Sequence, residues 1–220
     1  MFSHLKEDIR AIKERDPAAR SSFEIWLTYS GLHAIRSHRR AHWLFLHNMK
    51  FLARLLSQAS KRRTGIEIHP GAVLGNGVFI DHGTGIVIGE TAVVGNNVTL
   101  YQGVTLGGTG KDKGRRHPTI EDNVLIGAGA KVLGPFTVRK NAKIAANAVV
   151  LDEVPEGATA VGVPARIVRV YGKKPDGYDL DQIHIPDPLA QEICRLEAKI
   201  TALRKEILEA PQKEEETKNT

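Results

Sequence analysis

Between Ile68 and Val150 an aliphatic residue returns every sixth position, and few folds accept a chain with that period. Ile68, Leu74, Ile80 and Ile86 share one register, and Ile88, Val94, Leu100 and Leu106 a second. Ile120, Ile126, Val132, Val138, Ile144 and Val150 share a third. Four residues after most of them stands a small or β-branched residue: Ala72, Val78, Thr84, Ala92, Val98, Val104, Val124, Ala130, Ala142, Ala148 or Val154. Phe136 is the one bulky departure. A strand running through an ordinary sheet alternates with period two. A period of six makes each short strand one side of a triangular coil, with the aliphatic residue pointing into a prism that stacks coil upon coil. Gly75, Gly89, Gly95, Gly107 and Gly127 follow their aliphatic residue directly, where tight corners favour glycine. The predicted architecture is therefore a mainly β, parallel β-helix over residues 65–170.

Two irregularities mark where that prism is decorated. The register slips by two between Ile86 and Ile88, and it breaks between Leu106 and Ile120. The second break, residues 107–119, is rich in Gly, charge and Pro and reads as a loop thrown out from the prism. Loops carried on rigid scaffolds are where chemistry concentrates.

The flanks read differently. Residues 1–64 have helical patterning: Leu5, Ile9 and Ile12 share a face, and Asp16-Pro17 resembles a helix cap followed by proline at the first helical position. Gly31 is expected to separate two further helical stretches, to which Ile35, Trp43, Leu46, Phe51 and Leu55 give apolar contacts. After the array, residues 154–163 resemble a closing turn, and residues 171–188 form a Gly/Pro/Asp-rich linker. Leu189, Ile193, Leu196, Ile200, Leu203 and Ile207 then alternate four and three apart, a heptad seam predicting a helix over 189–210. Residues 211–220 are polar and charged, the composition of a disordered tail.

Composition narrows the function classes. No apolar run reaches the ~18–20 residues of a membrane span, and the N-terminus lacks the continuous apolar stretch of a signal peptide. The single cysteine, Cys194, cannot close an intramolecular disulfide, which fits a reducing cytosol. A net charge of +6 with basic runs at 61–63, 111–116 and 173–174 suits either a solvated surface or an anionic small molecule. With 5% aromatics and no nucleic-acid motif, DNA and RNA are not expected partners.

Among nine histidines, two stand apart. His38 and His42 lie four apart on a predicted helix, but no carboxylate pattern accompanies them, so no metal is expected there. His82, in the corner segment IDHGTG just after the inward Ile80, is expected to leave the prism; His117 closes the extruded loop. An imidazole on a rigid rim is suited to general-base work because its pKa lies near neutrality. Glu67, fifteen residues upstream, falls within three of one eighteen-residue coil and is expected beside His82 one coil below.

The segment IEIHPGAVLGNGVFIDHGTGIVIGETAVVGNNV, with VTLGGTGKDKGRRHPTI, VPARIV, RDPA at residues 15–18 and the pair His42-Trp43, resembles the serine O-acetyltransferase family, a hexapeptide-repeat acyltransferase. The resemblance implies a left-handed coil, a cytoplasmic homotrimer, acetyl-CoA as acetyl donor and L-serine as acceptor in the first step of cysteine biosynthesis. His82 matches the family's base, and Glu67 stands where the family often has Asp as partner of that base. Asp16 and Asp81 match acidic residues that hold serine, with Glu90 beside them in the substrate set; Arg116 and His117 match residues on the carboxylate and hydroxyl side. Gly108, Thr109, Ala128, Lys143 and Ala146 match the acetyl-CoA groove. The resemblance further implies feedback inhibition by cysteine. It implies docking to cysteine synthase through a terminal isoleucine, whereas this sequence ends Lys218-Asn219-Thr220. The alternatives are a related acyltransferase acting on homoserine or a sugar, a zinc-dependent β-helix enzyme, which would need a closely spaced histidine pair, and a scaffold built on the heptad tail.

Overall fold

The computed structural model describes residues 2–110, 114–170, 193 and 195–204. Four helices come first: α1 (Phe2–Arg15), α2 (Ser22–Thr28), α3 (Ser30–Leu46) and α4 (Lys50–Thr64). Asp16 follows the end of α1 and caps no helix. Its Oδ1 accepts from the backbone N–H of Ala18 at 2.8 Å, while the helix cap falls on Ser21, whose hydroxyl accepts from Glu24 N–H. The break between α2 and α3 falls at Tyr29, not at Gly31. Gly31 lies inside α3 because the helix rests on the prism there: a Cβ on it would stand 2.2 Å from the Ile80 carbonyl oxygen. α4 ends on Gly65 in the left-handed region, φ 73°, where the backbone turns into the first coil.

The prism follows coil by coil. Its first coil is β1 (Glu67–Ile68), β2 (Val73–Leu74) and β3 (Phe79–Ile80); the second is β4 (Val87–Ile88), β5 (Val93–Val94) and β6 (Thr99–Leu100). The third is β7 (Thr105–Gly107), β8 (Thr119–Ile120) and β9 (Leu125–Ile126), and the fourth β10 (Lys131–Leu133), β11 (Thr137–Val138) and β12 (Lys143–Ile144). Each strand pairs in parallel with its equivalent one coil away, which gives three faces: β1-β4-β7-β10 with Val149–Val150, β2-β5-β8-β11, and β3-β6-β9-β12 with Ala158–Val161. The chain folds as a left-handed parallel β-helix. β13 (Val149–Val150), β14 (Ala158–Val161) and β15 (Arg166–Val170) close it. The segment expected to be only a closing turn contains β14, and β15 pairs with it antiparallel, so the last coil ends in a hairpin.

Nearly every aliphatic residue of the six-residue repeat is buried, and the small and β-branched residues fill the space between coils. Burying one such side chain contributes about 1.5–3 kcal/mol, so the stack is held by its axis and not by its surface. Thr84 departs from the pattern. It is exposed, and Ile86 takes its place in the interior beneath Val104, Ala130 and Ala148. The reason is coil length: Glu67 pairs with Val87, twenty residues on, whereas Val87 pairs with Thr105, eighteen on. The two extra residues enlarge the corner at residues 81–85.

The helices dock on the first coil: Ser57 Oγ donates to the Ile68 carbonyl at 2.7 Å, and His42 Nδ1 lies 2.8 Å from the Pro70 carbonyl. A second apolar cluster of Ile12, Ile25, Leu32 and Phe79 joins α1, α2 and α3 to β3. Residues 193 and 195–204 are helical, and Ile193, Leu196, Ile200 and Leu203 are about half exposed. The rest of the expected heptad, Leu189 and Ile207, lies outside the described residues, as do Cys194, the 171–188 linker and the 211–220 tail. Among the described residues no helix is long and apolar enough to cross a membrane.

Candidate active site

The sequence-predicted site residues gather on two different edges of the prism. The first edge lies between the β3 and β4 faces and carries the enlarged corner. His82 sits there with φ 57°, a left-handed backbone unusual for a residue with a side chain. The turn is tight, with Gly83 N–H donating to the Asp81 carbonyl at 2.6 Å, and Ser30 at the start of α3 donates to the His82 carbonyl at 3.3 Å. The imidazole points outward, 75% exposed, with Nε2 3.8 Å from Asp81 Oδ1. Burial pushes the Asp81 carboxyl up; the charge of Asp16 adds to that, and His82 opposes it. Asp16 is therefore an electrostatic neighbour of Asp81 although the two lie sixty-five positions apart in the chain. Tyr29 donates its hydroxyl to Asp16 Oδ2 at 2.5 Å.

Glu67 lies at the foot of the same edge. Its carboxylate goes to Lys61 Nζ at 2.5 Å and Gln58 Nε2 at 3.4 Å, with Arg54 at 3.5 Å. These partners, Lys61 first, hold it below the usual carboxylate range. The carboxylate in contact with the His82 ring is Asp81, not Glu67. The twenty-residue first coil sets Val87, and not His82, over Glu67. Ile66, the residue before Glu67, nevertheless lies against Gly83 of the His82 turn.

The second edge lies between the β4 and β5 faces. The extruded loop returns across it and lays His117 over Gly89, where an added Cβ would stand 2.0 Å from the ring. Thr91 fixes the ring. Its backbone N–H donates to His117 Nδ1 at 3.1 Å, and its hydroxyl oxygen accepts from the N–H groups of Arg116 and His117. Nδ1 is thus an acceptor, and the neutral ring carries its proton on Nε2. Burial, then the Arg116 charge, pushes the His117 pKa down. Arg116 Nη2 pairs with Glu90 Oε2 at 2.6 Å. His69, one coil below, also belongs to this group: burial lowers its pKa, and the charges of Glu90, Arg116 and His117 all reach it.

The remaining expected residues divide between edges. Gly108 packs against Arg116, whose carbonyl oxygen would be 2.9 Å from a Cβ there, and Thr109 is exposed in the same loop. Ala128 and Ala146 occupy successive corners of the His82 edge, two and three coils above His82, and the Asn147 N–H donates to the Ala128 carbonyl. Lys143 lies on β12, between Leu125 and Thr159 of the neighbouring strands. Reading the sequence singled out neither Tyr29 nor Thr91, and placed His69 only before Pro70 at the first coil's corner. Tyr29 and Thr91 each act on a partner distant in the chain, and only the Glu-Thr pair at residues 90–91 offered a local hint.

One edge thus presents a solvent-facing imidazole beside two carboxylates, and the other a guanidinium beside a neutral imidazole donor. Together they match an α-amino acid, which offers one ammonium and one carboxylate.

Known proteins resemble this chain over most of its length. Residues 1–37 match the family described as "Serine acetyltransferase, N-terminal", and residues 117–152 that described as "Bacterial transferase hexapeptide (six repeats)". A shorter match, residues 83–102, is to "Hexapeptide repeat of succinyl-transferase". A serine acetyltransferase of Bacillus subtilis is 56% identical over 206 residues, 94% of each chain. The solved structure of a serine acetyltransferase in complex with cysteine is 48% identical and superposes with a TM-score of 0.80 over 83% of this chain and 71% of the other. The soybean serine acetyltransferase complexed with serine is 49% identical, with a TM-score of 0.74 over 76% of this chain and 68% of the other.

Proposed function

The chain belongs to the serine acetyltransferase family, and from that membership we propose that His82 is the general base of an acetyl transfer from acetyl-CoA to the hydroxyl of L-serine. The activity, O-acetylation of serine on the route to cysteine, follows from the family. The observation that carries the choice of base is the enlarged corner, which turns His82 outward beside the Asp16–Asp81 pair.

Serine's ammonium lies between Asp16 and Asp81, and its carboxylate meets Arg116, which Glu90 orients. His117 donates Nε2–H on the carboxylate and hydroxyl side. His82 removes the hydroxyl proton as the oxygen attacks the thioester carbon. The tetrahedral intermediate collapses, the C–S bond breaks, and the imidazolium returns its proton to the departing CoA sulfur. Glu67 steadies that imidazolium, a role that requires its carboxylate to leave Lys61. Backbone N–H groups around residues 107–108 stabilise the oxyanion. Serine is itself the nucleophile, so no covalent enzyme intermediate is needed.

Ala128 and Ala146 stand on the His82 edge two and three coils higher. At about 4.8 Å per coil, His82 to Ala146 is roughly 15 Å, room for an extended pantetheine arm against small side chains. Gly108 and Thr109 line its other wall, and Lys143 meets its nucleotide end.

The two edges lie one prism side apart. A six-residue side spans roughly 15–20 Å, more than one serine can bridge. A complete site therefore needs the His82 edge of one copy against the His117 edge of the next, a contact that closes as a cyclic trimer. Cysteine, which shares serine's ammonium and carboxylate, competes for the same pair of edges; a solved relative is a complex with cysteine. We place the reaction in the cytoplasm, in keeping with the single cysteine.

The test is His82→Ala. Turnover is expected to fall by roughly 10²–10⁴-fold, the usual contribution of a positioned base, with acetyl-CoA affinity retained in an equilibrium titration. Near-normal turnover would sink the assignment. Thiol release with L-serine, homoserine and sugars as acceptors checks the substrate.

A further inference from the structure

Tyr29 stands where helix energetics favour a different residue. It is at once the C-cap of α2 and the N-cap of α3, with φ −77° and ψ 108°. N-caps favour Ser, Thr, Asp or Asn, whose short side chains accept a hydrogen bond from the first turn. Tyrosine cannot do so, and α3 has no side-chain cap bond. Thr28 and Ser30, either of which suits a cap, flank it on both sides. A position that breaks a local rule often serves a site.

The ring of Tyr29 packs against the apolar cluster of Ile12, Ile25, Leu32 and Phe79, so it has little freedom to swing. Its hydroxyl emerges at Asp16 and donates to Oδ2 at 2.5 Å, while Oδ1 of the same carboxylate accepts from Ala18 N–H at 2.8 Å. Both oxygens of Asp16 are thereby held by neutral donors on fixed backbone. That restraint has an electrostatic purpose. Asp16 and Asp81 are like charges that favour separation while the site is empty, and a carboxylate free to rotate would turn away. Burial and the charges of Asp16, Glu24 and Asp81 all push the phenol upward, so it remains a donor throughout the physiological range.

We propose that Tyr29 is a positioning residue that holds Asp16 turned toward Asp81 against their repulsion, and so sets the preference of the site for acceptors bearing an ammonium group. The inference rests on the reading that these two carboxylates hold serine's ammonium. Tyr29 touches neither substrate; it acts through Asp16.

Tyr29→Phe keeps the ring and removes the hydroxyl. The KM for L-serine is expected to rise about 10- to 100-fold, the scale of one hydrogen bond to a charged group. The kcat and the KM for acetyl-CoA are expected to stay within about twofold, a change too small to reflect a lost hydrogen bond, and the melting temperature to hold. Inhibition by 3-hydroxypropanoate, which is serine without its amino group, is expected to be unchanged, so discrimination between the two compounds falls. Asp16→Asn is measured in parallel. If Asp16→Asn raises the serine KM and Tyr29→Phe does not, the role of Tyr29 is overturned and the ammonium site stands. If neither variant moves it, the ammonium site itself is overturned. If Tyr29→Phe weakens serine, 3-hydroxypropanoate and acetyl-CoA alike, or lowers the melting temperature, the hydroxyl is structural and the inference is overturned.

Discussion

Two histidines on neighbouring edges of one prism have opposite surroundings, and the difference suits the opposite roles proposed for them. His82 is mostly solvated. His117 is buried, pinned by Thr91 and pushed down by burial and by Arg116, so it stays neutral and donates from Nε2 as the pH falls. Asp81 titrates in the other sense. Its carboxyl is raised by burial and by the charge of Asp16, yet it must be ionised to hold an ammonium. If Asp81 holds serine as proposed, serine affinity is expected above the Asp81 pKa and is lost as the pH falls through it. Asp16→Asn removes the negative charge that helps push Asp81 up. We expect serine affinity at neutral pH to weaken roughly 10- to 100-fold, while the pH at which the remaining affinity is lost moves lower. Equilibrium binding of L-serine across the acid range, wild type against variant, checks both signs; an unmoved acid limb would separate the two carboxylates.

At the scale of elements, the extruded loop is fastened by Thr91, by Glu90 and by a close contact that glycine permits. Gly89 does not need a left-handed backbone; it is small because the His117 ring lies on it. Gly89→Ala should lift the loop off the edge. We expect kcat/KM for serine to fall about 100-fold or more, the cost of misplacing a positioned group by ~1 Å. The melting temperature should change little, because the prism core is untouched. A large loss of stability with activity retained would show that the loop does not carry the site. The prism itself was legible in the sequence because its period arises from local sterics repeated coil after coil. The slip between Ile86 and Ile88 was legible too, but its meaning was not: Ile86 reads as the end of one register, whereas it fills the interior slot that Thr84 vacates. Gly31 reads as a helix break because its true cause, the Ile80 carbonyl, is forty-nine residues away. Counting Glu67 to His82 against an eighteen-residue coil fails for the same reason. The first coil has twenty, and nothing local announces that Lys61 will take the carboxylate. Tyr29 and Thr91 escaped notice because each acts on a residue brought near only by folding.

At the scale of the whole molecule, one chain holds both halves of the proposed site and cannot join them. The aspartate pair and His82 line one edge, while Arg116, Glu90 and His117 line the next, across a full side of the prism. This arrangement makes an uncommon demand on mutants. A chain lacking His82 still offers a sound His117 edge, and a chain lacking His117 still offers a sound His82 edge. Each homo-oligomer should be nearly inactive, since every site in it has one damaged half. In a randomly mixed trimer, a site is intact when its His82 edge comes from the His117→Ala chain and its His117 edge from the His82→Ala chain, which is about a quarter of sites for a closed ring of heterologous contacts. Unfolding the two variants together and refolding the mixture should therefore restore roughly a quarter of wild-type turnover, whereas the two refolded apart and then combined should restore none until subunits exchange. Turnover that stays near zero in the co-refolded mixture, with mixed trimers demonstrated by differential tags, would mean that each site is built within one chain.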